Sequence, residues 1–91
     1  MGAFEKALDM PVISRFYGIA VKMYFREHGV PHFHALYGEF NAVFDLQTLE
    51  MVEGDLPQRA TRMVKEWAQR YQAELLEMWR TQEFRQLPGL E

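Results

Sequence analysis

The sequence predicts an α+β fold, a small antiparallel β-sheet meander of four to five strands with one long C-terminal α-helix packed on one face. Three observations carry this expectation. Apolar and polar residues alternate with period two through most of the first half of the chain, and turn-forming residues separate the runs. From Ala60 onward the apolar spacing becomes that of a helix. The strand runs precede the helical one and are joined by short turns, whereas a parallel sheet would need long crossovers between strands.

Residues 1–9 read as an N-terminal extension, and residues 10–91 as a single domain. Residues 12–17 form a short apolar strand that Gly18 interrupts. In residues 19–26, Ile19, Val21, Met23 and Phe25 alternate with Ala20, Lys22, Tyr24 and Arg26, which gives a strand with one apolar and one polar face. Residues 27–31 form a loop punctuated by Gly29 and Pro31. The next strand, 32–37, sets Phe33, Ala35 and Tyr37 against His32, His34 and Leu36. Gly38-Glu39 fits a two-residue hairpin turn of type II′, and residues 40–45 return from it. A turn at 46–48 leads to a last strand over 49–53.

Gly54-Asp55-Leu56-Pro57 reads as a helix start, with Asp55 or Leu56 as the cap and Pro57 in the first turn, where no intrahelical N–H is needed. Ala60, Met63, Val64, Trp67, Ala68, Tyr71, Leu75 and Met78 form the apolar stripe, and the helix is expected to run to about Arg80. Arg62, Glu66, Arg70 and Glu74 alternate in sign along the solvated face. Pro88-Gly89 closes a loose tail.

The turns imply a register. Across Gly38-Glu39, Tyr37 faces Phe40, Ala35 faces Ala42 and Phe33 faces Phe44, so His34 lies opposite Val43 and His32 opposite Asp45. A simple hairpin over residues 27–31 would pair Arg26 with His32, Tyr24 with His34 and Phe25 with Phe33. The aromatic face (Phe25, Phe33, Tyr37, Phe40, Phe44) would then hold the helix and Trp67. The opposite face would gather Lys22, Tyr24, Arg26, His32, His34, Asn41 and Asp45.

Composition narrows the function classes. An apolar fraction of 48% with 13 aromatic residues supplies a core without any structural metal or disulfide. The absence of cysteine removes thiolate zinc fingers, cysteine nucleophiles and disulfide scaffolds, and accords with a reducing cytoplasm. No apolar run approaches the roughly 18–20 residues of a membrane span, and the N-terminus lacks the pattern of a signal peptide. The net charge of −3 conceals an acidic stretch over residues 38–56, where Glu39, Asp45, Glu50, Glu53 and Asp55 have no basic counterpart. An evenly basic nucleic-acid binder is disfavoured but a local basic face is allowed, and the acidic stretch equally suits a basic protein partner.

The chemistry concentrates in residues 26–34, Arg-Glu-His-Gly-Val-Pro-His-Phe-His, which hold all three histidines. His32 and His34 lie two apart on a strand and so share a face, with Cα atoms roughly 6.5–7 Å apart. One reading is metal-independent acid–base cleavage of a phosphodiester such as RNA. His28, His32 and His34 would share the proton transfers, Asp45 would orient His32, Arg26 and Lys22 would hold phosphate, and Tyr24 would stack a base or donate a proton. No cofactor is required on that reading. A second reading is a divalent metal site, with His32 and His34 as ligands and His28, Glu27 or Asp45 as the third. Such an all-N/O donor set suits Zn²⁺, Fe²⁺, Mn²⁺ or Ni²⁺. The plain alternative is polar surface: Asp45 as a turn former, Arg26 and Lys22 as solvated charges, Tyr24 as packing. Trp79 and Phe84, if exposed, would mark an oligomer or partner surface.

From Met10 onward the chain resembles a family of small bacterial and archaeal proteins, domain of unknown function 4160. The matching residues are 10–19 (Met-Pro-Val-Ile-Ser-Arg-Phe-Tyr-Gly-Ile), Met23-Tyr24, His28, Pro31-His32-Phe33-His34 and Tyr37-Gly38-Glu39. Glu53-Gly54, Leu56-Pro57, Glu66-Trp67, Glu74-Leu75-Leu76 and Trp79 also match. Family members usually carry Asp and Pro where this chain has Glu27 and Val30. The resemblance implies membership of a two-gene, toxin–antitoxin-like module, with a domain of unknown function 2442 protein as the neighbouring partner. A non-catalytic, antitoxin-like interaction module fits the same arrangement. Self-association into a homo-oligomer is a further expectation.

Overall fold

The computed structural model describes residues 11–91. The expected extension at residues 1–9, and Met10, lie outside the described residues. Five strands follow in order, β1 (Val12–Phe16), β2 (Ile19–Lys22), β3 (His32–Tyr37), β4 (Phe40–Asp45) and β5 (Met51–Asp55). They form one antiparallel sheet in sequence order, β1-β2-β3-β4-β5. Two helices come next, α1 (Gln58–Arg70) and α2 (Gln72–Thr81). The α+β class and the meander are as the periodicity predicts. No helix of the described residues is long and apolar enough to cross a membrane.

The β3–β4 hairpin has the expected register at every pair, from Tyr37 opposite Phe40 to His32 opposite Asp45. Gly38 takes φ +56°, the conformation that the first turn residue of type II′ demands. The β1–β2 hairpin turns at Tyr17-Gly18, both at positive φ.

The β2–β3 pairing departs from expectation. β2 stops at Lys22, and Lys22 rather than Tyr24 lies opposite His34. The alternation runs on to Arg26, but Arg26 takes φ +63° and turns the chain out of the sheet. The pairing is therefore displaced by two residues. A two-residue displacement preserves facing, so Lys22 and the histidines still share a face.

The core lies between one face of the sheet and the helices. Phe33 and Phe44 stack in parallel at 5.2 Å, and Trp67 meets Phe33 at 6.0 Å and Phe16 at 5.6 Å. Of the expected aromatic face, Phe33 and Phe44 are fully buried, whereas Tyr37 and Phe40 are exposed near the hairpin end. Phe25 is half-buried and stacks on Phe84 at 4.4 Å instead of on the helix. The whole predicted helical stripe packs inward, with Met63 and Tyr71 at its partly covered margin.

Three further expectations change. The single long helix is two helices, broken at Tyr71 (φ −113°, ψ 19°). Just after the break the Gln72 side-chain amide donates to the carbonyls of Leu46 (2.7 Å) and Gln47 (3.1 Å), which ties the start of α2 to the turn after β4. Neither Asp55 nor Leu56 caps α1: Pro57 holds the cap position, and Gly54-Asp55 belong to β5. Gly54 sits at φ +83° opposite Ala42, and a Cβ there would collide with the backbone of Asn41 and Ala42. That glycine serves close strand approach, not helix initiation.

The tail is docked, not loose. Leu87 N–H donates to Ile13 O (2.7 Å) on the outer edge of β1, and the Pro88 carbonyl accepts from Trp67 Nε1 (2.8 Å) and Ser14 Oγ (3.2 Å). Leu87 and Leu90 are buried. The cause is the indole N–H of a fully buried Trp67, which requires an acceptor that neither sheet nor helix offers. A bulge in β1 between Val12 and Ser14 turns Ser14 inward to the same carbonyl.

Two stability outcomes follow. Gly54→Ala places a side chain at positive φ against backbone, and is expected to cost at least about 1–3 kcal/mol in urea unfolding. Leu87→Ala empties a buried site and is expected to cost about 2–3 kcal/mol by the same measurement, near the lower end of core leucine truncations. A truly loose tail would show no change.

Candidate metal centre

His32 and His34 project from β3 onto the sheet face opposite the one that α1 covers, as their alternation with buried Phe33 and Ala35 requires. The loop after β2 passes over this face and supplies Glu27. His32 Nε2 lies 2.9 Å and His34 Nε2 3.0 Å from the same oxygen, Glu27 Oε1. One ligand atom from each of the three residues falls within 4.8 Å of the other two. All three side chains are largely covered, at 14%, 16% and 28% exposure for His32, His34 and Glu27.

Each ring is held from the side. Trp79 of α2 packs on His32 at 4.9 Å, and Tyr24 meets His34 edge-on at 4.4 Å. His32 Nδ1 lies 2.8 Å from the Val30 carbonyl, which can only accept, so Nδ1 carries the proton. Neutral His32 then has a bare lone pair on Nε2, pointed at a carboxylate oxygen that also only accepts. Two acceptors at this separation require a cation between them, either a proton or a metal ion.

The three side chains bring a set of possible metal-ligand atoms together. Imidazole ligands commonly donate their second N–H to a backbone carbonyl, which fixes the ring and the coordinating tautomer. Bonds of about 2.0–2.1 Å to an ion imply tetrahedral ligand edges near 3.3 Å, a few tenths beyond the separations here. The other side of the cluster opens into a hollow lined by His28, Gly29, Val30, Val43, Val52 and Glu53. Val52 reaches it because a register shift between Val43 and Phe44 places Val52 and Glu53 together on β5.

The other anticipated residues divide. His28 is exposed at the rim of the hollow and stands outside the three-residue cluster. Tyr24 contacts His34 as packing. Arg26 is exposed, and its backbone N–H donates to Gln82 Oε1 (2.8 Å). Lys22 is opposite His34 and Asn41 is opposite Leu36. Asp45 is paired with His32 in register, yet its Oδ1 accepts from Gln47 N–H (2.7 Å) and Thr48 N–H (3.1 Å). A local Asx turn thus takes the carboxylate expected to orient His32, and Glu27 meets that ring instead.

Glu27 was legible only as one alternative third ligand, and its loop position gave no direction. Trp79 and Gln82 carried no sequence signal as neighbours of the site. They are brought there by the helix break and the tail. Trp79 and Phe84 are half-buried against the core, not a bare surface.

Fold and cluster together define a small α+β protein with two imidazoles and a carboxylate gathered on the open face of its sheet. The chain belongs to the family domain of unknown function 4160, whose model matches residues 18–80 and so spans the whole cluster. No curated protein and no solved structure gave a significant match.

The proton placement is directly observable. In long-range ¹H–¹⁵N NMR spectra of metal-free protein, the neutral form of His32 is expected to be the Nδ1–H tautomer. A neutral Nε2–H tautomer of His32 would contradict the Val30 contact.

Proposed function

We propose that the protein is a divalent-metal protein, with Glu27, His32 and His34 as ligands and the hollow as the open side of the ion. The observation that carries this reading is the pair of Nε2 atoms aimed at one carboxylate oxygen, one of them from a ring whose Nδ1–H is already committed to Val30 O. Three N/O ligands with a free position are the make-up of catalytic sites, in which the ion acidifies a bound water or polarises a substrate oxygen. Metal-assisted hydrolysis is the reaction class that this favours. His28 and Glu53, the other titratable groups lining the hollow, are the candidates for proton transfer beside the ion.

The metal-independent ribonuclease reading uses the same imidazoles. It needs an acid and a base on opposite sides of a phosphate. Here both Nε2 atoms converge on one carboxylate, a geometry better suited to sharing an ion. Service in a toxin–antitoxin-like pair is compatible with either chemistry, and the acidic β5 edge, with Glu53 and Asp55 exposed, suits a basic partner.

Calorimetric titration of untagged protein with Zn²⁺ and Co²⁺ is expected to give one ion per chain. Ala at Glu27, His32 or His34 should each weaken binding by more than about 100-fold, beyond the 10–100-fold typical of residues outside the coordination sphere. His28→Ala should leave affinity essentially unchanged. Affinity should fall on acidification, because protons compete for the ligand atoms. Failure to take up Zn²⁺, Co²⁺, Mn²⁺ or Fe²⁺ removes the reading.

A further inference from the structure

The carboxylate of the cluster does not come from the sheet. It comes from a loop with no strand partner of its own, and something must hold that loop over β3. The residues immediately before Glu27 are tied to the far end of the chain. Arg26 N–H donates to Gln82 Oε1 (2.8 Å), and the same side chain donates through Nε2 to Trp79 O (2.8 Å). Phe25 stacks on Phe84 at 4.4 Å with only 13° between the planes. Trp79, whose carbonyl Gln82 holds, is the residue packed on His32. One amide therefore spans the backbone that aims Glu27 and the helix end that supports His32.

The backbone at both ends of this bridge is unusual. Arg26 sits at φ +63°, and Gln82 takes the left-handed conformation that ends α2, at φ 63° and ψ 20°. Neither residue is of the type that favours that region, and each such placement persists only where the surroundings hold it. An Asn would serve the helix end better, but its amide is one methylene shorter and would not span to Arg26. Glutamine is the residue that meets both demands.

We propose that Gln82 is a positioning residue for the metal centre: by holding the turn at Arg26 it fixes the Glu27 carboxylate at the point where His32 and His34 converge. This rests on the metal reading for its functional meaning. The tie to Glu27 itself concerns the protein without any ion. The consequence is that the end of α2, remote in sequence, sets the affinity of a site built on β3 and its preceding loop.

Two variants separate positioning from stability. Gln82→Asn suits the left-handed position, which offsets part of the stability lost with the two side-chain hydrogen bonds, yet cannot reach Arg26. Gln82→Glu keeps an acceptor of the same length for the Arg26 N–H while giving up the donation to Trp79 O, so it isolates the Arg26 tie. Titrated with Co²⁺ and followed by visible absorption, Gln82→Asn is expected to bind at least about tenfold more weakly than the unaltered chain, in line with residues that orient ligands. Gln82→Glu is expected to retain most of the affinity. Binding by Gln82→Asn within twofold of the unaltered chain overturns the proposal, as do losses in both variants that merely track melting temperature. Should the unaltered protein bind no ion, the metal reading fails by itself, and the ¹⁵N resonances of His32 and His34 in metal-free protein decide the rest. A shift of both in Gln82→Asn supports the positioning role, and unchanged resonances overturn it.

Discussion

The indole N–H of Trp67 is the constraint on which much of this architecture depends. Trp67 of α1 is fully buried against the sheet, in contact with Phe16, Phe33 and Tyr71. A buried donor without a partner costs about 1–3 kcal/mol, a sizeable share of the stability of so small a domain. The Pro88 carbonyl meets it, and with that bond the tail runs along β1. Leu87 then covers the outer edge of β1, a strand position that would otherwise be free to pair with another chain. Gly89 lies so close to Arg15 O that a Cβ there would approach to 2.7 Å, which explains a glycine in a segment that makes no turn of its own. Sheet, helix and tail are thus joined at one side chain.

The candidate centre depends on the same joining. The rings of His32 and His34 stand on a strand whose register the short hairpin to β4 determines. The carboxylate stands on a loop held by Gln82 and Phe84, which follow α2 and lead into the tail. A rigid part and a strapped part meet at one oxygen atom. Sites built this way have ligands that strand geometry places accurately and one ligand whose placement depends on packing elsewhere.

Legibility in the sequence followed the range of the interactions. The β3–β4 hairpin could be read residue by residue, because period-two alternation and a two-residue glycine turn are both local. The inward stripe of the helices was equally plain. The end of β2 was not, since Met23 continues the apolar alternation and is buried even though the strand has stopped. The break at Tyr71 was hidden because Leu75 and Met78 keep helical spacing across it. The docking of the tail was hidden because nothing near Pro88 signals that a tryptophan 21 residues earlier needs its carbonyl. In the site, alternation put His32 and His34 on one face. It also put Asp45 opposite His32, but Asp45 satisfied two nearby backbone N–H groups first. Glu27, five and seven residues from the rings it meets, reached them through a loop whose course is set by Gln82, 56 residues beyond Arg26.

The docked tail also has a consequence for the order of assembly. Every strand pairing in the sheet joins neighbours in the chain, so each closes only a short loop. The bond from Ser14 to Pro88 spans 74 residues. Loop-closure entropy delays such contacts until shorter-range structure has brought the ends together. The meander and α1 would then form first, with Trp67 lacking its acceptor and the outer edge of β1 uncovered. During that interval the chain exposes the strand edge that the finished molecule hides. The last step of folding is also the one that covers this edge, so conditions that slow tail docking would favour aggregation through β1.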